Sequence, residues 1–283
     1  MKCLIRNFAR RFYRKIQSQH KQMERTIQFY KYQGTGNDFV MIDNRDLQFP
    51  KDENLILQLC DRRFGIGGDG LILLENDEDA AHFDFKMVYY NSDGRESTMC
   101  GNGGRCIVAF AHFLDIFEDR CHFNAIDGAH EGEVMGARIK LKMIDVETAK
   151  NDGECFVLNT GSPHYVQFVD DVQHFPVFEE GRRIRNSEKY AAEGINVNFV
   201  EVVDDHTLFV RTYERGVEDE TYSCGTGVTA AALTWMEKQH LNEVAIKVLG
   251  GNLKVYSKKL NGNFTDVWLE GPAKMVFQGK INI

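Results

Sequence analysis

Met99-Cys100-Gly101-Asn102-Gly103 and Ser223-Cys224-Gly225-Thr226-Gly227 are two copies of one short turn, each a cysteine followed by Gly-x-Gly where a helix is predicted to begin. The likeness extends upstream, to Tyr90-Asn91-Ser92-Asp93-Gly94 before the first copy and Tyr213-Glu214-Arg215-Gly216 before the second. The cysteines stand 124 positions apart (100 to 224). A further pair of echoes, Thr35-Gly36-Asn37-Asp38-Phe39-Val40 and Thr160-Gly161-Ser162-Pro163-His164-Tyr165-Val166, begins 125 apart (35 to 160). Two independent matches at nearly one offset mark a duplicated unit.

Outward from these turns the chain reads as β-rich. Residues of alternating polarity predict strands over 83–89, 137–143 and 208–213, and shorter ones over 27–32, 39–43, 71–75 and 165–169. Helices are predicted over 52–63, 103–117 and 227–240. The last two are apolar on so many sides that each is expected to be buried, one at the centre of each repeat. The prediction is an α+β chain of two pseudo-symmetric domains, 26–142 and 143–270. Each is a mixed or antiparallel β structure around a central helix, with the active site in the cleft between them.

Gly65-Ile66-Gly67-Gly68-Asp69-Gly70 satisfies the G-x-G-x-x-G pattern of dinucleotide sites. That motif needs a strand before it and a helix after it, so that pyrophosphate meets a helix N-terminus. Here a helical segment precedes and the strand-like Leu71-Ile72-Leu73-Leu74 follows, so the glycines read as a tight loop.

The net charge of −8 is unevenly spread. Residues 1–25 hold eight Lys or Arg against Glu24 alone, a net of +7, which leaves −15 on the other 258. So acidic a body argues against a nucleic-acid surface. The basic stretch is open to reading as an organellar leader or a membrane-touching amphipathic helix. The plainer reading is a disordered extension, with translation started upstream of Met23. It lacks the apolar centre of a secretory signal, and no apolar run approaches a membrane span. Seven cysteines without regular spacing fit reduced thiols, and cytoplasmic residence is expected.

A cysteine at a helix start faces unpaired backbone N–H groups and the positive end of the helix dipole, both of which favour a thiolate. The glycines let a carboxylate approach the same N–H groups. Two such turns at one cleft would set a thiol on either side of a substrate α-carbon. Inverting a stereocentre by proton exchange needs a base on one face and an acid on the other. The roles swap in the reverse direction, so the two groups should be chemically alike, as duplicated cysteines are. A packed structural cysteine is the bland alternative. A redox dithiol is another, but C-x-x-C spacing is missing. Cys60, Cys106, Cys121 and Cys155 lack the Gly-x-Gly setting and read as structural.

Taken together, Gly34-Thr35-Gly36-Asn37-Asp38-Phe39, Asn91-Ser92-Asp93-Gly94, the two Cys-Gly-x-Gly turns, Gly161-Ser162-Pro163-His164, Asn196 and Tyr213-Glu214-Arg215-Gly216 resemble the diaminopimelate epimerase family over about residues 27–283. The resemblance implies a cofactor-free, metal-free isomerase that interconverts LL- and meso-2,6-diaminopimelate on the way to lysine and peptidoglycan. It implies a homodimer, a small-molecule partner and no nucleic-acid or membrane partner. The final segment, 271–283, would return to the first domain. By position, Cys100 and Cys224 would exchange the proton. Gly101, Asn102, Gly225 and Thr226 would hold the reacting carboxylate through their N–H groups. Asn37, Asn91, Asn196, Glu214 and Arg215 would bind the remaining polar groups, and His164 and Glu214 would tune the thiols. Asn37 and Asn91 are also natural turn residues, Glu214-Arg215 a natural solvated pair, and His164 a natural core histidine.

Two positions depart from the family pattern. Ser162 stands where many members carry Asn, which calls a direct substrate contact there into question. Gly70 stands where some carry a Gln ligand. Proline racemases and hydroxyproline epimerases share the cysteine turns, and an amino-acid binder without turnover is the reading from another class.

Overall fold

A computed structural model of the chain describes residues 25–283. The basic extension read at 1–25 lies, Arg25 apart, outside the described residues. The first half opens with a hairpin of β1 (Thr26–Gly34) and β2 (Asn37–Asp43). Helix α1 (Glu53–Cys60) follows, then β3 (Gly70–Glu75), β4 (Phe85–Asn91) and the short β5 (Glu96–Ser97). Next come α2 (Gly101–Phe113), β6 (Arg120–Ala125), β7 (Gly128–Met135) and β8 (Arg138–Lys142). After the two-residue β9 (Lys150–Asn151) the order recurs. It runs β10 (Phe156–Asn159), β11 (Pro163–Phe168), α3 (Val177–Arg185), β12 (Asn196–Asp204), β13 (Thr207–Glu214) and β14 (Asp219–Thr221). Then come α4 (Gly225–Gln239), β15 (Glu243–Val248), β16 (Gly251–Leu260), β17 (Asn263–Pro272) and β18 (Lys274–Asn282).

The pairings repeat as well. β2 lies parallel to β3, β3 antiparallel to β4, β4 parallel to β6, and β6, β7 and β8 are successive antiparallel neighbours. β11, β12, β13, β15, β16 and β17 follow the same alternation. The halves join where β8 pairs with β17 and where β18 pairs with β1. Mixed pairing with few helices is the α+β architecture that the duplication predicts.

Burial explains the layers. α2 and α4 share one large core with Ile72, Leu141, Leu253 and Leu269, so each is covered on nearly every side. α1 packs Ile56 and Leu59 on the opposite face of its sheet, against Val40, Leu71 and Leu73. α3 does the same in the second half, setting Val177 and Ile184 against Val197 and Phe199. β3 is buried at all six positions because both of its faces are covered. Burying each such Leu or Phe contributes about 1.5–3 kcal/mol.

Asp52 caps α1, its carboxylate accepting from the Leu55 N–H at 2.9 Å. The helix stops at Cys60, three residues before the predicted end, because the Asp61 carboxylate takes the N–H groups of Arg63 and Phe64 and turns the chain. The glycine loop then runs from helix to strand, the reverse of a dinucleotide site. Arg62, bridging Asp38 and Asp69 at 2.6 Å each, and Lys31, donating to the Gly67 carbonyl, hold it in place.

Candidate active site

The duplicated turns bring the starts of α2 and α4 into contact. A methyl carbon at Gly225 would lie 3.1 Å from the Cα of Gly101, and one at Gly101 would lie 3.3 Å from the Cα of Gly225. Only hydrogen at both positions lets the two backbones approach so closely. The Leu269 side chain lies beneath both, 3.1–3.2 Å from the same two points. The matched turns at Gly36 (φ +89°) and Gly161 (φ +110°) both use the left-handed region that glycine alone enters freely. They border a cleft of about 800 Å³ whose walls include Cys100 and Cys224.

Cys100 is the N-cap of α2, and its Sγ accepts from the Gly103 N–H at 3.2 Å. Cys224 is the N-cap of α4 and sits 3.5 Å from the Thr226 hydroxyl, with the Glu214 carboxyl nearby. Helix position alone predicts depressed thiol pKa values, and here the structure corrects the sequence reading. Burial pushes Cys100 up to about 11 and Cys224 well above its ordinary value. The Gly103 N–H does pull Cys100 downward, but the loss of water around the sulfur outweighs it. Glu214 adds to the rise at Cys224, and its own carboxyl is raised by burial.

Asn37 points its Oδ1 toward both Cys100 Sγ, at 4.0 Å, and Asn102 Nδ2, at 3.4 Å. Its Nδ2 donates to Asp69 at 2.6 Å, which fixes the amide's orientation. Asp69, from the tight glycine loop, also lines the cleft. Its nearness to Asn37 depends on the parallel pairing of β2 and β3, which local sequence does not announce. Asn102 donates to the Ser223 carbonyl at 2.9 Å and so ties the first repeat to the residue before Cys224.

Asn91 is exposed on the cleft wall at the end of β4, opposite Gly70 in register. Asn196 is buried and heavily engaged, donating to Ser162 at 3.1 Å and Pro163 O at 3.2 Å and accepting from the Arg215 N–H at 2.9 Å. Arg215 lies exposed at the rim, with Nη1 on the Glu193 carbonyl at 2.9 Å. His164 is fully buried and reaches neither thiol directly. Its Nε2 is 3.0 Å from Ser162 Oγ, which in turn lies 3.3 Å from Thr226 Oγ1, beside Cys224. Its Nδ1 lies 3.1 Å from Asn198 Nδ2. Burial in this setting pulls the imidazole down to about 3, with the Arg215 charge adding to the effect. Ser162 therefore serves as a junction between His164, Asn196 and Thr226. Among the described residues, no group of three or more His, Cys, Asp or Glu is placed to hold a metal ion.

The sequence pattern of the diaminopimelate epimerase family matches residues 29–143 and again residues 156–276, one match to each repeat. The chain belongs to the diaminopimelate epimerase family. A family member from Flavobacterium psychrophilum is 52% identical over 90% of this chain and the whole of that protein. Another from Chlorobaculum tepidum is 42% identical over 88% of this chain and 99% of its own length. Solved structures of similar fold include a PhzF-family phenazine biosynthesis protein from Bacillus anthracis, at TM-score 0.70 and 15% identity, covering 92% of this chain and all of that one. A hydroxyproline epimerase from Agrobacterium vitis matches at TM-score 0.65 and 13% identity, covering 92% and 94% of the two chains. Both extend the family's fold to distant sequences. Among the described residues no helix is long and apolar enough to cross a membrane.

Proposed function

We propose that this protein is a cofactor-independent isomerase that interconverts LL- and meso-2,6-diaminopimelate, supplying lysine and peptidoglycan precursors. The observation that carries the reading is the glycine-to-glycine contact of two cysteine-capped helix starts at one cleft. A carboxylate there meets the N–H groups of Gly101, Asn102, Gly225 and Thr226, which lie at the positive ends of both helix dipoles. The α-carbon then lies between the sulfurs. In one direction the Cys100 thiolate takes the α-proton and the Cys224 thiol delivers its own to the opposite face. One C–H bond breaks and another forms, leaving Cys100 protonated and Cys224 as thiolate. The reverse reaction starts from that state.

The environments of the thiols favour this assignment. Cys100 accepts the Gly103 N–H at 3.2 Å, whereas Glu214 beside Cys224 opposes a second negative charge there. Asn37 and Asn91 face the substrate's amino and carboxylate groups, Arg215 takes the distal end, and Glu214 bears on the reacting end beside Cys224. Asn196 acts mainly by holding the Arg215 backbone. His164 acts on Cys224 through Ser162 and Thr226.

The same proposal includes a homodimer in the cytoplasm and a division at 26–142, 143–270 and 271–283. The return of β18 to β1 supports that last boundary. The test is solvent deuterium incorporation at the α-carbon by reduced protein without pyridoxal phosphate. Exchange with diaminopimelate but not with proline or 4-hydroxyproline is expected. Exchange with proline alone would transfer the assignment to the racemases, and tight binding without exchange would make the protein a binder.

A further inference from the structure

Arg105 is among the largest fully buried side chains, and among the described residues it forms no ion pair with a carboxylate. Its guanidinium sits behind the first helix start. Nη1 donates to Gly101 O at 3.1 Å, and Nη2 donates to Asn102 Oδ1 at 2.8 Å and to Thr35 Oγ1 at 3.2 Å. Nε is buried with no partner. Gly271 makes room for the plane, since a methyl carbon there would lie 2.9 Å from Nε. The titratable groups that face it are the thiols of Cys106 on α2 and of Cys100 at its N-cap, together with the like-charged Arg138 of β8.

An isolated buried cation is costly unless something nearby carries the opposite charge. Burial lowers this guanidinium to about 10, which leaves it charged at neutral pH. The groups that could offset it are the facing thiols, Cys106 in the core and Cys100 in the cleft, when ionised, or a carboxylate bound in the cleft. Arg105 also holds the carbonyl end of Asn102, whose other end spans to Ser223 in the second repeat.

We propose that Arg105 is a positioning residue for the exchange reaction: it locks Asn102 in its bridge between the repeats and fixes a positive charge behind the turn that carries Cys100. The proposal rests on the epimerase reading for its rate predictions but not for its thiol chemistry. The experiment compares Arg105→Met and Arg105→Lys with the parent. It measures iodoacetamide alkylation of Cys100 by peptide mass spectrometry at about pH 8, where the rate follows the thiolate fraction. It also measures kcat and KM for α-hydrogen exchange, and folding by circular dichroism.

In Arg105→Met, Cys100 alkylation slows about tenfold or more, the scale of losing a neighbouring opposite charge, and kcat falls at least as much. An alkylation rate within about twofold of the parent, in a folded variant, overturns the proposal. Lysine keeps the charge and loses the fork, so Arg105→Lys alkylates within about threefold of the parent while kcat falls about tenfold. If the methionine variant does not fold, the lysine variant decides alone, and either parent-like kcat or tenfold slower alkylation overturns the proposal. A parent that exchanges no α-hydrogen defeats the epimerase reading, while the alkylation comparison still judges Arg105.

Discussion

Gly225→Ala tests the contact on which the site depends. The added methyl would lie 3.1 Å from the Gly101 Cα and 3.1 Å from Leu269 Cδ2. Carbon atoms settle at about 3.5–4.0 Å, so both contacts are short by roughly half an ångström. Leu269 is buried in the shared core and Gly101 is backbone, so neither yields easily. The relief is a shift of the α4 start away from α2 by about that distance, carrying Cys224 with it. Overpacking of this kind costs about 1–3 kcal/mol, part of which alanine recovers through its higher helix propensity. At about 2–4 °C per kcal/mol for a chain this size, melting should fall by only a few degrees. Catalysis should suffer more, because a misplacement of about 1 Å costs on the order of a hundredfold. Half that shift predicts a loss of roughly tenfold in α-hydrogen exchange. Gly101→Ala meets the same contact from the other side, so the double variant should lose less than the product of the two singles. The assay pairs deuterium exchange with thermal melting. A Gly225→Ala protein that turns over within about twofold of the parent would refute the argument that the helix starts must touch.

Cys100→Ala and Cys224→Ala should each lower interconversion by at least about 10²–10⁴-fold, the worth of a positioned acid or base, while circular dichroism stays unchanged. Near-normal turnover in either one removes the two-thiol mechanism. The third prediction concerns stability against pH. His164 is held neutral down to about pH 3 when folded, whereas an unfolded histidine titrates near 6.5. Between those values the unfolded chain binds a proton that the folded chain lacks, so stability is full above about 6.5 and falls by up to about 1.4 kcal/mol per pH unit toward 3. Urea denaturation from about pH 7 to 4 should show that slope reduced in His164→Gln. Equal slopes in parent and variant would mean His164 does not carry it.

Local sequence accounts for several elements because their causes are local. Apolar residues at alternate positions yield β4, β8 and β13 close to the predicted spans, and the near-continuous apolar surface of α4 matches its burial. The sequence predicts no helix at Val177–Arg185, where only Val177, Gly181 and Ile184 are buried and the stripe is too narrow to stand out against three arginines. Duplication of the cysteine turns made the two-domain plan legible, since each repeat inherits the same order of strands and the same buried helix.

What the chain announced by itself was the paired thiols, their Gly-x-Gly tails and the two-fold plan, because these are properties of short segments and of their spacing. Three features depended on tertiary structure. Desolvation raises the thiols against the pull of the helix ends, an effect set by how much protein surrounds each sulfur. Asp69 orients Asn37 only because β2 and β3 pair in parallel across a loop of glycines. Arg105 fits behind Asn102 because Gly271, 166 positions further on (105 to 271), leaves it space. Charge, distance and solvent exclusion act through space, so residues remote in sequence decide them.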